Sequence, residues 1–523
     1  MKKAAAALLA AGMVVSSLVA CSGSDNNGTT PAAGDSAGTS GNESTVQGSS
    51  EAASSGDVEN IVFTFLTTKT APDGIQMVED EINKIIEPKI GVHVDFETFG
   101  QAQYVQNLGL MMSGGEQVDV VSFLGTFSQM IAKNQLMDIT EYMDTVASET
   151  KEVVGEDFLK ATSVDGRVYA IPTLNGKAAV PNIVIRSDLV EELGLDLGEL
   201  KQATNWDEYF ENMDVLSGWF EKIHEAHPEM VCLVPGAGNS LWTGFPFIDN
   251  LTDNYGVLKN DGSTEVINFF ETDEFKKLCE YTYDWYEKGY VLQDAATTQE
   301  APNTFIQSGR TAGYFVTGEE GQAEQITTAT GVPVEAVKLS TPYLTTGAIN
   351  GIGFGVSSTS EHPEAAMKFI NELYTNADII NLLDWGVEGV HYEVQDDGTV
   401  DFPEGVTADN TSYGLNMDWF FGNQFLSYVW GKGRDTTIYE RLDANNKSAE
   451  FSVANGFTYD STTVRSAITA VENVKSEYFP GLTTGTLAPS EIENFNAALE
   501  SAGLNDIIQA KQEQLDAWME KNQ

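Results

Sequence analysis

Alternating apolar and polar runs mark the start of the folded part of the chain. The run NIVFTFLTT (60–68) is apolar and rich in β-branched and aromatic residues, which predicts a strand. A helix follows, and the residues that predict its buried stripe are Ile75, Val78, Ile82, Ile85 and Ile86. The run VHVDF (92–96) predicts a second strand. Strand, helix and strand in this order predict a βαβ unit and therefore a parallel sheet.

The same alternation continues along the chain. The run VDVVSFL (118–124) predicts another strand, and so does GAINGIGFGVSS (347–358), which leads into a helix with Pro363 in its first turn. A helix capped by Thr204 or Asn205 opens at TNWDEYFENM. These elements together predict an α/β protein.

Turn residues and late periodicity predict the remaining elements. Asp-Gly pairs at Asp261 and Asp397 predict two hairpins, because neither stretch has the further oxygen ligands that a calcium loop needs. The chain is predicted to end in two helices, at 489–502 and 505–521. The predicted buried stripe of the last helix consists of Ile508, Leu515, Trp518 and Met519.

The amino terminus has the pattern of an export signal. Lys2 and Lys3 precede an apolar run from Ala4 to Ala20, which predicts a secretory signal peptide over residues 1–20. The sequence LVAC ending at Cys21 resembles a bacterial lipobox, so a lipid on this cysteine is expected; the alternative is an ordinary signal peptide with a cysteine nearby. Residues 21–57 are small and polar and are expected to form a disordered, lipid-anchored linker.

Charge and cysteine content narrow the function. The net charge is −50, from 78 acidic and 28 basic residues, which disfavours nucleic acid and anionic lipid surfaces as partners and favours a neutral or cationic ligand. Only Cys232 and Cys279 follow Cys21, which excludes a disulfide scaffold. Two buried thiols are expected, and a single disulfide between them is the alternative.

Several motifs, in this order, resemble the extracellular solute-binding proteins of family 1, the maltose-binding-type receptors of ABC importers. The final motif resembles the C-terminal domain of unassigned function found in a Gram-positive subgroup. The motifs that carry the resemblance are LMMSGGEQVDVVSFLGTFSQMIAKNQLMDIT (110–140), DGRVYAIPT (165–173), FIQSGRTAGYFV (305–316), GIGFGVSSTSEHPEAAMKFINELYTN (351–376), LLDWGVEGVHYEV (382–394) and GFTYDSTTVRSAITAVENVKSEYFPGLTTG (456–485).

The resemblance implies a two-lobed periplasmic-binding-protein-like fold of type II, in which hinge-linked lobes close on a ligand. The bounds expected for the first lobe are 58–178 and 345–395, and those for the second are 180–343 and 396–523, including the C-terminal helices. The resemblance implies a lipid-anchored extracellular receptor that delivers a carbohydrate to ABC permease subunits. It further implies a monomer. We expect contact with the membrane through the lipid alone, and no cofactor, no metal and no nucleic-acid partner.

Seven residues are candidates for ligand contact. Aromatic faces stack on sugar rings, and polar groups bind sugar hydroxyls. Trp242 lies in a Gly-rich loop, where cleft contact and loop packing are both open, and Glu388 lies between two glycines, where a structural acceptor role is the alternative. For Asn423 and Trp430 the alternative is a buried aromatic cluster. The candidates that follow predicted strand ends are Thr68, Thr126 and Phe127.

Other functions have weaker support in the sequence. His224 and His227 give H-x-x-H without the H-E-x-x-H zincin pattern, and no nucleophile elbow or phosphate loop stands between a strand and a helix. No motif selects a pair of glycosidase carboxylates. A receptor is therefore expected rather than an enzyme. The alternatives are a receptor for a peptide or polyamine, a secreted glycoside hydrolase and a structural surface lipoprotein.

Overall fold

A computed structural model describes residues 58–67, 74–415 and 417–522. The predicted signal peptide, Cys21 and Thr68 lie outside the described residues. Within the described part, no helix is long and apolar enough to cross a membrane.

The strands are short apart from those that form the two main sheets. In chain order they are β1 (Glu59–Thr67), β2 (Val92–Gly100), β3 (Val120–Leu124), β4 (Ser163–Val164), β5 (Arg167–Val168), β6 (Ile171–Pro172), β7 (Val180–Arg186), β8 (Val231–Leu233), β9 (Ile248–Asp249), β10 (Leu258–Lys259), β11 (Thr311–Gly318), β12 (Val334–Lys338), β13 (Tyr343–Leu344), β14 (Ile352–Val356), β15 (Glu393–Val394), β16 (Val400–Asp401) and β17 (Glu450–Phe451).

The helices cover the sheets and form the C-terminal region. In chain order they are α1 (Ile75–Ile90), α2 (Gln101–Gly114), α3 (Phe127–Ala132), α4 (Thr140–Met143), α5 (Ser148–Val154), α6 (Glu156–Lys160), α7 (Ser187–Leu193), α8 (Trp206–Ala226), α9 (Asp273–Glu287), α10 (Pro302–Gln307), α11 (Gln322–Thr330), α12 (Thr346–Ile349), α13 (Pro363–Thr375), α14 (Ala377–Trp385), α15 (Ile438–Ser448), α16 (Arg465–Thr484), α17 (Ile492–Ser501) and α18 (Leu504–Asn522).

The first lobe is built on a five-stranded sheet with the order β2-β1-β3-β14-β6. The predicted βαβ unit is confirmed, because β1 pairs parallel with β2 in register Glu59 to Val92 and α1 lies between them in the chain. Strand β14 runs antiparallel to both β3 and β6. The stripe of α1 is buried through Val78, Ile82 and Ile86, which pack into the first core.

The second lobe is built on a four-stranded sheet with the order β12-β7-β11-β8. Strand β7 runs antiparallel to β11 and β12, whereas β8 runs parallel to β11. Helix α8 begins at the predicted cap, where the Asn205 side chain accepts a hydrogen bond of 3.0 Å from the backbone N–H of Glu208. Cys232 and Cys279 are buried free thiols in this lobe, as expected.

Each lobe has its own hydrophobic core, and each core is formed by residues from separate parts of the chain. The first core draws on residues 61–66, 78–178, 344–383, 413–415 and 417–421. The second draws on 183–339 and 471–507. Residues 413–415 and 417–421 lie beyond the predicted end of the first lobe at residue 395, yet they pack in the first core. The ring of Phe420, for example, lies 5.6 Å from that of Phe354.

Of three smaller predicted elements, two differ from expectation and one is confirmed. The Asp261 hairpin shrinks to a single bridge between Val257 and Ile267, because β10 pairs with β9 instead. The Asp397 hairpin is confirmed as β15 and β16. The run 347–358 begins in helix α12, so β14 starts only at Ile352.

The C-terminal region contains one more helix than predicted. Helices α17 and α18 match the two predicted helices, and α16 precedes them with Pro480 inside it. The buried face of α18 is formed by Leu504, Ile507, Lys511 and Leu515. Ile508, Trp518 and Met519 of the predicted stripe are only partly buried.

Candidate functional site

The carboxyl edges of both sheets lie at the junction between the lobes. Strand β6 runs in the direction of β3, because both are antiparallel to β14. Its carboxyl end leads through residues 173–179 to the start of β7, which pairs with Gly318 at the carboxyl end of β11. The carboxyl edges of both sheets therefore face the connection. Ligands of open α/β sheets bind at such edges.

Two asparagines of α15 fasten this connection. The Asn446 side-chain oxygen accepts hydrogen bonds from the backbone N–H groups of Lys177 and Ala178, at 2.9 and 3.1 Å. Its amide nitrogen donates to the carbonyl of Asn175 at 2.7 Å. Asn445 donates to the carbonyl of Ala178 at 2.9 Å. Helix α15 thus holds residues 173–179, the crossing segment between the lobes, in one conformation.

A lysine and a glutamate face each other at the root of the junction. Lys177 is 8% exposed, and burial lowers its pKa to about 8 while the carboxylate of Glu319 opposes that shift. Burial raises the pKa of Glu319 to about 7, and Lys177 opposes that shift. A Cβ atom on Gly176 would lie 1.8 Å from a Glu319 carboxylate oxygen, so any other residue there would displace the Glu319 side chain. The Lys177–Glu319 pair is polar and partly desolvated, and its lysine belongs to the crossing segment.

A second set of charges extends the polar surface from the end of β11. Glu320 forms ion pairs with Lys338 of β12 and with Arg441 of α15, the latter at 3.4 Å. Arg441 also pairs with Asp435 at 2.8 Å. Acids and cations alternate here, which suits the hydroxyls of a neutral polar ligand, since these both donate and accept hydrogen bonds.

On the first-lobe side, Trp419 contacts Asn175 of the crossing segment. The Asn175 side chain donates to the carbonyl of Trp419 at 2.6 Å, whereas its Oδ1 is buried without a hydrogen-bond partner among the described residues. Trp419 is only partly buried against the first core, with its ring 5.8 Å from that of Phe420. A partly buried indole beside an unpaired amide oxygen provides both kinds of group that a sugar site uses.

The structure places two predicted site residues at a carboxyl edge. Thr126 is half-buried at the start of α3, directly beyond β3. Phe127 is 2% exposed and packs against Phe123 with ring centroids 5.6 Å apart. Only Thr126 therefore presents a side chain near the surface of this edge. Thr68 lies next to the described Thr67 but outside the described residues.

Trp242 packs beneath its loop in the second core. Its side chain is 4% exposed, and its ring lies 5.0 Å from Phe315 and 6.0 Å from Trp285. The loop above it is tied to β11, because the hydroxyls of Thr243 and Thr317 are 3.2 Å apart. Of the two roles that the sequence left open, loop packing is the one that this geometry displays.

Glu388 is exposed on a turn that a buried histidine holds in shape. Its turn has positive φ at Gly386 and Gly389, and the backbone N–H of Val387 donates to Nδ1 of His391 at 2.8 Å. His391 is 1% exposed, and burial lowers its pKa, which favours the neutral ring. The other ring nitrogen lies 2.9 Å from the hydroxyl of Ser412, whose carbonyl accepts from Gly74. The turn is thereby linked to the end of the segment that contains Thr68.

Asn423 and Trp430 have different surroundings. Asn423 is 5% exposed and donates to the carbonyl of Tyr374 at 3.1 Å, so it fastens the first core. Trp430 packs on Trp385 at 5.1 Å and on Phe402 at 4.7 Å, near the hairpin of β15 and β16. Both display the buried-cluster role that the sequence allowed as the alternative.

Sequence reasoning missed the residues that meet at the junction. Glu319 and Glu320 directly follow an apolar strand run, and that position was a usable signal. Trp419 stands in the stretch that supplied Asn423 and Trp430, but no periodicity distinguished it. Lys177 carried no local pattern at all. In the described ranges, no group of three or more His, Cys, Asp or Glu side chains is arranged to hold a metal ion.

Family models match most of the chain. Residues 75–379 match the bacterial extracellular solute-binding proteins, which is more than half of the 523 residues. Residues 453–520 match a domain of unknown function, DUF3502. A carbohydrate ABC transporter substrate-binding protein of Streptococcus pneumoniae serotype 4 is 24% identical over 488 residues, covering 90% of this chain and 93% of the relative.

Solved structures share the fold. The N-glycan transport solute-binding protein NgtS from Streptococcus pneumoniae has a TM-score of 0.73 at 22% identity, covering 89% of this chain and 100% of that chain. An HMO-binding ABC-transporter-associated solute-binding protein from Bifidobacterium longum infantis has a TM-score of 0.60 at 17% identity, covering 88% and 99%. These likenesses confirm the predicted two-lobed α/β fold.

Proposed function

Because the chain belongs to the bacterial extracellular solute-binding proteins, a family of exported receptors rather than enzymes, we propose that it is the carbohydrate receptor of an ABC importer. The sugar binds between the lobes at the facing carboxyl edges. The lobes close on it, and the closed form docks as a monomer on the permease. A lipid on Cys21 and the linker to residue 57 keep the receptor at the extracellular face of the cell membrane.

One observation carries the proposal: Trp419 and Asn175 meet where the carboxyl edges of both sheets face each other. The partly exposed indole of Trp419 supplies an apolar face for a pyranose ring, and the unpaired Oδ1 of Asn175 accepts a hydrogen bond from a sugar hydroxyl. The carboxylates of Glu319 and Glu320 across the junction accept further hydrogen bonds from sugar hydroxyls. A carboxylate of Glu388 and the hydroxyl of Thr126 extend the site if the sugar has several units.

Calorimetric titration of the purified protein with sugars of increasing length tests this site. Oligosaccharides of mannose and N-acetylglucosamine form the first panel, since NgtS, a structural neighbour, has been solved in complex with Man1GlcNAc and with Man5GlcNAc. Trp419→Ala should weaken binding by about 1–3 kcal/mol, as expected for a lost stacking partner. Trp206→Ala, which removes a partly buried tryptophan at the start of α8, is the matched control and should leave the affinity unchanged. Equal loss in both variants would contradict the placement of the site.

A cationic ligand is the second candidate because the net charge is −50. Polyamines and basic peptides therefore form the second panel of the titration. Binding of a polyamine without any binding of sugars would replace the carbohydrate as ligand while keeping the receptor. Salt dependence separates the two, because attraction to a cationic ligand weakens as the ionic strength rises.

A further inference from the structure

The loop between β9 and β10 has an unusual backbone. Four non-glycine residues around it have positive φ: Phe247 at 59°, Leu251 at 44°, Thr252 at 97° and Asn254 at 64°. Such angles are uncommon outside glycine and are most costly for a β-branched residue such as Thr252. A loop that retains this conformation requires compensating contacts from its surroundings.

The ammonium group of Lys511 supplies those contacts. The Lys511 side chain of α18 is 0% exposed. It pairs with the carboxylate of Asp253, donates to the carbonyl of Gly256 at 3.0 Å and lies 3.4 Å from the carbonyl of Asn250. The ring of Tyr459 covers it at 5.2 Å. Oxygen atoms of one strained loop thus surround a single buried cation that comes from a distant helix.

The groups that surround the Lys511 ammonium, here called the cage, include hydrogen-bond acceptors that Lys511 does not use. Asp249 at the start of the loop is 2% exposed, and its Oδ2 has no hydrogen-bond partner among the described residues, nor does the hydroxyl of Tyr459. Asp249 also interacts electrostatically with Lys511 and lies beside Ser452, next to the paired strands β13 and β17. The cage therefore adjoins segments that pass between the lobes.

Lys511 anchors a region that touches both lobes. On the second lobe, the C-terminal region (453–522) is held by Asn496, which donates to the carbonyl of Phe270 at 2.9 Å. On the first lobe, Lys521 pairs with Asp165 at 3.1 Å. Asn455 of the same region donates to a first-lobe carbonyl, that of Asp157, at 2.8 Å. The C-terminal region therefore contacts both lobes and links them separately from the crossing segment.

The two ends of this bridge differ in burial. The Lys511–Asp253 pair has side-chain exposures of 0% and 18%, whereas Lys521 and Asp165 are 66% and 69% exposed. Breaking a buried pair by removing one partner leaves an uncompensated charge, while an exposed pair contributes little. The second-lobe end of the bridge is therefore the stronger of the two contacts, and the first-lobe end is the weaker.

We propose that the loop 249–256 is a binding site for a primary ammonium group, that Lys511 is its resident ligand, and that this contact fixes the C-terminal region as a clamp across the hinge. The clamp restricts the range of distances between the lobes and so sets the affinity of the ligand site. The role in affinity rests on the proposed function, whereas the ammonium site and the restricted motion do not.

Chemical rescue tests the ammonium site. Lys511→Ala should lower the melting temperature by several degrees and leave a space the shape of n-propylammonium. Added n-propylammonium should raise the melting temperature of this variant saturably, whereas n-propanol, which has no charge, should not. Neither compound should stabilise the wild type. Equal effects on variant and wild type, or no rescue of a variant that still melts cooperatively, would overturn the site.

Two further variants keep the test decisive if Lys511→Ala does not fold. Lys511→Met retains most of the buried stem and removes only the charge, and it should also melt at a lower temperature. Lys84→Ala removes a lysine whose side chain is 66% exposed and is the matched control, with no expected change. If Lys511→Met melts like the wild type, the ammonium contact has no anchoring role and the proposal fails.

Interlobe distances test the clamp independently of any sugar. Spin labels on α1 and α8 report the distribution of distances between the lobes by pulsed electron resonance. Lys511→Met should broaden this distribution, and Lys521→Ala should broaden it less. Where a sugar is known to bind the wild type, Lys511→Met should change its Kd by about fivefold or more. An unchanged distribution would refute the clamp, whereas a wild type that binds no sugar would refute only the proposed function.

Discussion

Asp384 is a buried carboxyl group whose replacement should stabilise the protein in a pH-dependent way. It lies on α14 with 0% exposure, and neither of its oxygens has a hydrogen-bond partner among the described residues. Burial raises its pKa well above the ordinary value, and repulsion from Asp418 adds to the shift, while Ser427 opposes it. The perturbation is Asp384→Asn, which has the shape of the protonated acid and no ionisable group.

The direction of the effect follows from proton linkage. In the unfolded chain this carboxyl ionises near its usual pKa of about 3.9, whereas in the folded protein it keeps its proton to higher pH. The folded wild type thus binds more protons in this window, and its stability falls as the pH rises above about 4. The asparagine variant has no such dependence. The difference in unfolding free energy should therefore grow by up to about 1.4 kcal/mol per pH unit.

Denaturant unfolding at several pH values measures this difference. Between pH 4 and pH 7 the advantage of Asp384→Asn should reach at most about 4 kcal/mol, and it should stop growing once the pH passes the folded pKa. Asp396→Asn, at an exposed position, is the matched control and should show a flat difference. A flat difference for Asp384→Asn, or a variant less stable than wild type at pH 7, would refute the reasoning.

Three further predictions concern packing and reactivity. Trp242→Ala should lower the unfolding free energy by about 3–5 kcal/mol, as for other buried large-to-small changes, and denaturant titration measures it. Gly386→Ala should cost more than Gly389→Ala in the same assay: both have positive φ, but only the first would bring Cβ within 2.6 Å of a neighbouring histidine ring. Cys232 and Cys279 should resist a thiol reagent in the folded protein and react once it is unfolded, because burial raises the pKa of both thiols.

Local pattern predicted the elements that depend on near neighbours. The β1–α1–β2 unit followed from apolar spacing alone, and the family resemblance, which rests on motif order, was confirmed by the match over residues 75–379. The junction was harder, because its residues come together only through tertiary contacts. Asn446 fastens a segment 268 or more positions earlier in the chain, and no spacing rule reports such a pairing.

The Asp261 hairpin shows why turn residues alone do not fix a strand pairing. The Asp-Gly pair forms a bend with positive φ at Gly262, yet β10 pairs with β9, which precedes it in the chain. Trp242 shows the same limit for site prediction. A tryptophan in a Gly-rich loop has no periodicity to reveal its direction, so only the packing against Phe315 identifies which side it faces.

The order in which the first sheet is completed has a consequence for biosynthesis. Strands β1, β2 and β3 are made early, but β14, which pairs with β3, is made more than two hundred residues later. The first core is complete only after Phe420 and Phe421 have also been synthesised. Pairings of such long range are slow to form and leave apolar strand edges open in the meantime. The amino-terminal third of the nascent chain should thus be the part that aggregates or recruits chaperones, although it is the lobe that is synthesised first.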